Sequence, residues 1–129
     1  MPHVYRDARL LAGKPKEGDF ECVYLIKLYT GLGWTGAWRE GEKVVGNKHI
    51  ALGTAIATFV NGRWPGLAHG NHSGFYMGQV SNGIYILDQW PNIATKPVIS
   101  KRFIYRLGKD KNGKYIRPTE NADAFSIIE

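Results

Sequence analysis

The chain has 129 residues, 43% of them apolar and 22% charged, with a formal net charge of +6. This is the usual size of one domain, too short for two well-cored ones, and the composition excludes a wholly disordered or collagen-like chain. A single cysteine, Cys22, rules out an internal disulfide and leaves no multi-thiol zinc module.

The first sixteen residues carry Arg6, Asp7, Arg9, Lys14 and Lys16, and do not read as a signal peptide. A helix is predicted over Asp19 to Tyr29. Asp19 can serve as its N-cap or first-turn anion, its broad apolar face holds Val23, Ile26 and Leu28 with Tyr24 and Leu25, and Gly31 and Gly33 stop it. Cys22 falls in its first turn. Residues 31–53 read as a long connection with aromatic cover from Trp34 and Trp38. The apolar stretch Ile50 to Val60 is too short and too interrupted to cross a membrane. Predicted strands follow at Thr54–Val60, His72–Val80, Ile84–Trp90 and about Val98–Leu107, with a short closing strand in Asp123–Ile128. Turns are expected at Asn61-Gly62, at Ser81-Asn82-Gly83 and at residues 111–113. The expected class is α+β: one early helix, then an antiparallel meander. The basic run Lys96 to Lys114 reads as a solvated surface rather than a recognition helix.

Three residues invite a chemical reading. Cysteine catalysis needs a thiolate, an imidazole and a polar group to orient that imidazole. The amides and dipole of a helix N-terminus lower a thiol pKa, and Cys22 is placed to feel them; the alternative is a small core hydrophobe. Of four histidines, His72 opens an apolar strand, followed by the small residues Ser73 and Gly74. These leave room for a substrate or a helix end. Asp88 closes the next strand and could hold the imidazole tautomer; the alternative is a turn residue ahead of Pro91. His69 and His72 with Asp88 form a weaker metal reading, because the two histidines precede a strand instead of sharing a helix face. No metal and no cofactor is expected.

Cys22 at a helix start, His72 in His-Ser-Gly-Phe-Tyr-Met-Gly and Asp88 in Leu-Asp-Gln-Trp together resemble the papain-like cell-wall peptidases, the NlpC-type endopeptidases and CHAP amidases. The ordered set Gly18–Val23, Gly53–Phe59, Gly70–His72, Asp88–Trp90 and Asp123–Ser126 is similar to type VI secretion amidase effectors. The resemblance covers nearly the whole chain. It implies a single papain-like domain over residues 1–129, with a helix bearing Cys22 packed on an antiparallel sheet bearing His72 and Asp88. It implies Cys22 as nucleophile, His72 as base and then acid, Asp88 as orienting group, and the Cys22 N–H in the oxyanion hole, with the second donor unassigned. Trp34, Tyr76, Gln89 and Trp90 are candidate substrate-binding residues. A geometric condition follows. If Asn82-Gly83 is a two-residue turn, Asp88 lies opposite Met77 and faces away from His72. A triad then requires a bulge, a three-residue loop or another shift that turns both toward the helix, and one is expected.

The implied activity is hydrolysis of an amide in peptidoglycan peptide stems or cross-links by an antibacterial effector. Such a protein would be made in the cytoplasm without a signal peptide, secreted, and active in the target-cell periplasm. The expected partners are peptidoglycan stems and a cognate immunity protein, with no nucleic acid and no membrane, and the expected state is a monomer. A phage-type lysin of the same chemistry is the near alternative. A non-catalytic basic module binding cell wall or nucleic acid is the distant one, and it would ignore alkylation of Cys22.

Overall fold

The computed structural model describes residues 1–91 and 94–129. It has one α-helix, α1 (Cys22–Thr30), and six strands: β1 (Glu40–Lys43), β2 (Ala55–Thr58), β3 (Ser73–Val80), β4 (Gly83–Asp88), β5 (Ser100–Tyr105) and β6 (Phe125–Ile128). All pairings are antiparallel, in the order β1-β6-β2-β3-β4-β5. The predicted α+β class holds. The meander holds only for β2 to β5, because β6 returns to lie between β1 and β2.

The helix begins later than Asp19 because Phe20 lies at φ +69°, outside the helical region. Asp19 instead accepts the Glu21 N–H at 3.0 Å, and Glu21 is the N-cap. Cys22 is therefore the first helical residue. Gly31, at φ +74°, ends the helix and donates its N–H to the Lys27 carbonyl. Leu25 and Ile26, one turn beyond Cys22, are fully buried. Each contributes about 1.5–3 kcal/mol of burial. They meet Ala55, Ala57, Phe75 and Leu87 on one face of the sheet. The other face carries Ile56, Tyr76, Ile84, Ile86, Ile104 and Phe125, covered by Val44 and Ala122. β2 is buried along its whole length, so its apolar run shows no alternation. β1 is an edge strand of charged residues, paired with β6, which explains why the hydrophobic pattern did not disclose it.

The turns fall where expected. Asn61 and Gly62 both have positive φ, at 52° and 77°, and join Val60 to Arg63. The β3–β4 turn is Ser81-Asn82, closed by the Val80–Gly83 pair. Extended without irregularity, that register would set Asp88 against Phe75. A bulge between Tyr76 and Gln79, with Gly78 at φ +117°, shifts the ladder by one. Phe75 then pairs with Leu87, which puts Asp88 opposite Gly74 and on the same face as His72. The expected correction is thus present. The shared face is that of Tyr76 and Ile86, not the one under α1. His72 can still meet the helix because it stands just before β3, where the N-terminal end of α1 reaches the end of the sheet. Gly74 is small for the sheet's sake: a Cβ there would sit 2.6 Å from the Ile86 side chain. Among the described residues, no helix is long and apolar enough to cross a membrane.

Candidate active site

His72 is completely buried and is fixed from three directions. Its backbone exchanges hydrogen bonds with Thr58 of β2: the His72 N–H donates to Thr58 Oγ1 and the Thr58 N–H to the His72 carbonyl. Nε2 lies 2.7 Å from Asp88 Oδ2. The indole of Trp90 stacks on the imidazole, with centroids 4.0 Å apart and planes 11° from parallel. Nδ1 has no nitrogen or oxygen partner and is left to the Cys22 thiol.

The electrostatics follow from these contacts. Burial would push the Cys22 thiol up, but the neighbouring imidazole and the Ser73 hydroxyl and backbone N–H outweigh it, so the thiol pKa is lowered. Burial likewise would push His72 down. The hydrogen bond and charge of Asp88, then those of Cys22, reverse this and raise the imidazole to about 9. The contacts therefore favour the pair in which the thiol is ionised beside an imidazolium. The Cys22 N–H, in the first turn of α1, has no intrahelical partner and points along the positive end of the helix dipole.

Two members of the site escaped sequence reasoning. Arg102 of β5 donates from Nε to Asp88 Oδ2 at 2.8 Å. Its guanidinium also lies 5.3 Å from the Trp90 ring, on which His72 is stacked. In sequence it sits in a basic run that reads as solvated surface, yet it shares the inward register of Ile84, Ile86 and Ile104. Thiolate, imidazolium, carboxylate and guanidinium sum to zero charge, which makes burial of the set tolerable. Ser73 reads in the sequence as a small residue leaving space. Its hydroxyl is instead buried against the thiol.

Cys22 and His72 open onto a cleft of about 700 Å³, lined also by Val23, Trp64, the Gly66–Asn71 loop and Trp90. Of the expected substrate-binding residues, Trp90 is in the cleft. Gln89 touches it, but its amide is committed: Nε2 donates to the Glu17 and Glu21 carbonyls and Oε1 accepts the Glu17 N–H. Gln89 therefore ties down the segment that starts α1 and has no donor left for a substrate. Tyr76 is outside the site. It is buried on the second core face with its hydroxyl bonded to Gln79, four residues and about 13 Å along the strand from His72. Trp34 is also outside; it stands 76% exposed over Gly36 and does not line the cleft. His69 lines the cleft without joining His72 in a ligand set. Among the described residues, no group of three His, Cys, Asp or Glu is arranged to hold a metal ion.

Comparison with known proteins identifies the family. The chain is 44% identical to the type VI secretion amidase effector 2 protein of Salmonella typhi, over the full length of both. It is 34% identical to domesticated amidase effector 2 of Ixodes scapularis, covering 84% of this chain and 70% of that one. The solved structure of a type 6 secretion amidase effector 2 superposes with a TM-score of 0.92 at 44% identity, covering 98% of this chain and 94% of that chain. With residues 4–128 matching the family domesticated amidase effector 2, the chain belongs to that amidase effector family.

Proposed function

We propose that residues 1–129 form a single papain-like amidase domain that hydrolyses an amide bond in the peptide stems or cross-links of peptidoglycan. The observation that carries this reading is the Cys22 thiol at the first turn of α1, beside an imidazole that Asp88 holds at 2.7 Å, on the wall of an open cleft. The family membership supports the same class of reaction.

The steps follow from the geometry. The Cys22 thiolate attacks the amide carbonyl carbon, and the Cys22 N–H stabilises the resulting oxyanion. The His72 imidazolium gives its proton to the amide nitrogen as the C–N bond breaks, leaving a thioester on Cys22 and a free amine. His72, now neutral, takes a proton from water. The hydroxide attacks the thioester, the C–S bond breaks, the carboxylic acid leaves and the thiolate is restored beside the imidazolium. Asp88 keeps Nε2–H pointed at itself, so that Nδ1 serves the sulfur. Trp90 holds the ring plane and keeps water from it.

The basic composition suits an acidic wall polymer. As an effector the protein would be secreted and act in a target-cell periplasm as a monomer, and its producer would hold an immunity protein that blocks the cleft. Digestion of purified sacculi with mass spectrometry of the released muropeptides tests the proposal and identifies the bond. Wild type releases new amine and carboxylate termini, and folded Cys22→Ala and His72→Ala release none. Cleavage by Cys22→Ala at the wild-type rate excludes the mechanism.

A further inference from the structure

Beside the catalytic cleft lies a second groove of about 760 Å³, and the two share Leu67 and Gly70 as a common rim. Its character differs from the first. Two ammonium groups approach the Tyr115 ring, with Lys43 Nζ 4.7 Å and Lys109 Nζ 4.9 Å from its centroid. Lys114 adds a third positive charge. The one carboxylate in the groove, Glu40, is already engaged by Lys43 at 3.2 Å and by the Ser126 hydroxyl at 2.6 Å. Among the described residues, Lys109 and Lys114 have no carboxylate within ion-pair distance.

The lysines are presented by a built element. Lys109 and Tyr115 pair across a tight hairpin whose turn is fixed by Asp110 Oδ1, which accepts the N–H groups of Asn112 and Lys114. The floor at Phe59 and Val60 is apolar. A ligand that satisfies both features is a short aliphatic chain carrying free carboxylates. A chain lying in the cleft with its amide at Cys22 and continuing over Leu67 and Gly70 would run into this groove.

We propose that the Lys109–Lys114–Tyr115 groove is a substrate subsite that takes the carboxylate-bearing peptide continuing from the scissile amide. This rests on the amidase reading above and adds where the rest of the substrate lies. Lysine ammonium groups act here as unpaired point charges, so their effect is in binding and not in the chemical step.

The test compares wild type with the double variant K109E/K114E. Both lysines are exposed, and neither belongs to the catalytic set. The probes are a soluble disaccharide-peptide fragment of peptidoglycan with free carboxylates and the same fragment with its carboxylates amidated. On the free-carboxylate probe the double variant should raise KM about tenfold or more and leave kcat within about twofold. On the amidated probe the two proteins should have the same KM, and K109R/K114R should match wild type on both. An unchanged KM on the free-carboxylate probe, or an equal rise on both probes, overturns the subsite. Failure of the amidase reading is distinguished by titrating the probes into the Cys22→Ala protein with and without K109E/K114E, which needs no turnover. There, a free-carboxylate affinity that is lost with the two lysines supports the groove even if hydrolysis is absent, and an affinity that ignores them removes it even if hydrolysis is present.

Discussion

Replacing Asp88 with asparagine keeps the shape of the side chain and removes its charge. In the native site Asp88, helped by Cys22 and opposed by burial, carries His72 from an ordinary 6.5 to about 9, a net difference of about 3 kcal/mol in favour of the imidazolium. Without that charge, burial acts on the ring unopposed by Asp88 and takes it back toward or below 6.5. At neutral pH the imidazolium then falls from nearly full occupancy to at most about a quarter. The thiol loses its cationic neighbour and rises toward the range of a free cysteine or above, where at most about three in a hundred are ionised at neutral pH. An asparagine amide also donates to Nε2, so the ring presents the wrong tautomer to sulfur. The combined loss in kcat/KM is expected to be about two to four orders of magnitude. The assay is the ultraviolet absorbance of the thiolate as a function of pH, with the Cys22→Ala trace subtracted, run beside muropeptide release. Cys22 is the only cysteine, so the difference is unambiguous. If the thiol of Asp88→Asn titrates where the wild-type thiol does, the electrostatic coupling described here is wrong.

The bulge that brings Asp88 to the His72 face depends on Gly78 at φ +117°, a conformation costing a side-chain-bearing residue about 1–3 kcal/mol. Gly78→Val should lower stability by that amount in urea unfolding and lower activity more than stability, since the register of Asp88 is at stake. Arg102→Met removes one of the two donors to Asp88 Oδ2 and should destabilise by about 1–3 kcal/mol; Arg102→Lys should not restore it, because the flat guanidinium both bonds and stacks. His72 gives a pH signature of known sign. Its folded pKa exceeds its unfolded one, so its contribution is full below about 6.5 and is lost as pH rises through about 9. The lowered Cys22 thiol contributes the opposite slope, so the two mask each other in wild type. In Cys22→Ala the stability should therefore fall with rising pH across that window, and Cys22→Ala/Asp88→Asn should be flat.

Much of the site is legible in the sequence because its logic is local. Gly18 to Cys22 marks a helix start, and side-chain parity alone demanded an irregularity between His72 and Asp88. The same parity puts Tyr76 on the face of His72, but strand rise carries it too far along to help. Arg102 is hidden by its neighbours: Lys96, Lys101, Arg106 and Lys109 flank it, so one inward guanidinium looks like surface. Its position in step with Ile104 was the usable signal. Gln89 looked like a substrate donor because nothing in the sequence reveals that Glu17 and Glu21 take both its amide protons. The placement of β6 between β1 and β2 joins segments more than sixty residues apart in sequence, and neither composition nor periodicity encodes such a pairing.

The mechanism rests on a Cys22 sulfur that is reachable from the cleft and more acidic than an ordinary thiol. Treatment with iodoacetamide at mildly acidic pH, followed by intact mass and muropeptide release on the same sample, measures it directly. A single adduct on Cys22 that forms quickly, with hydrolysis falling in proportion to its occupancy, is the predicted result. A thiol that stays inert under these conditions, or full hydrolysis by the alkylated protein, contradicts the account.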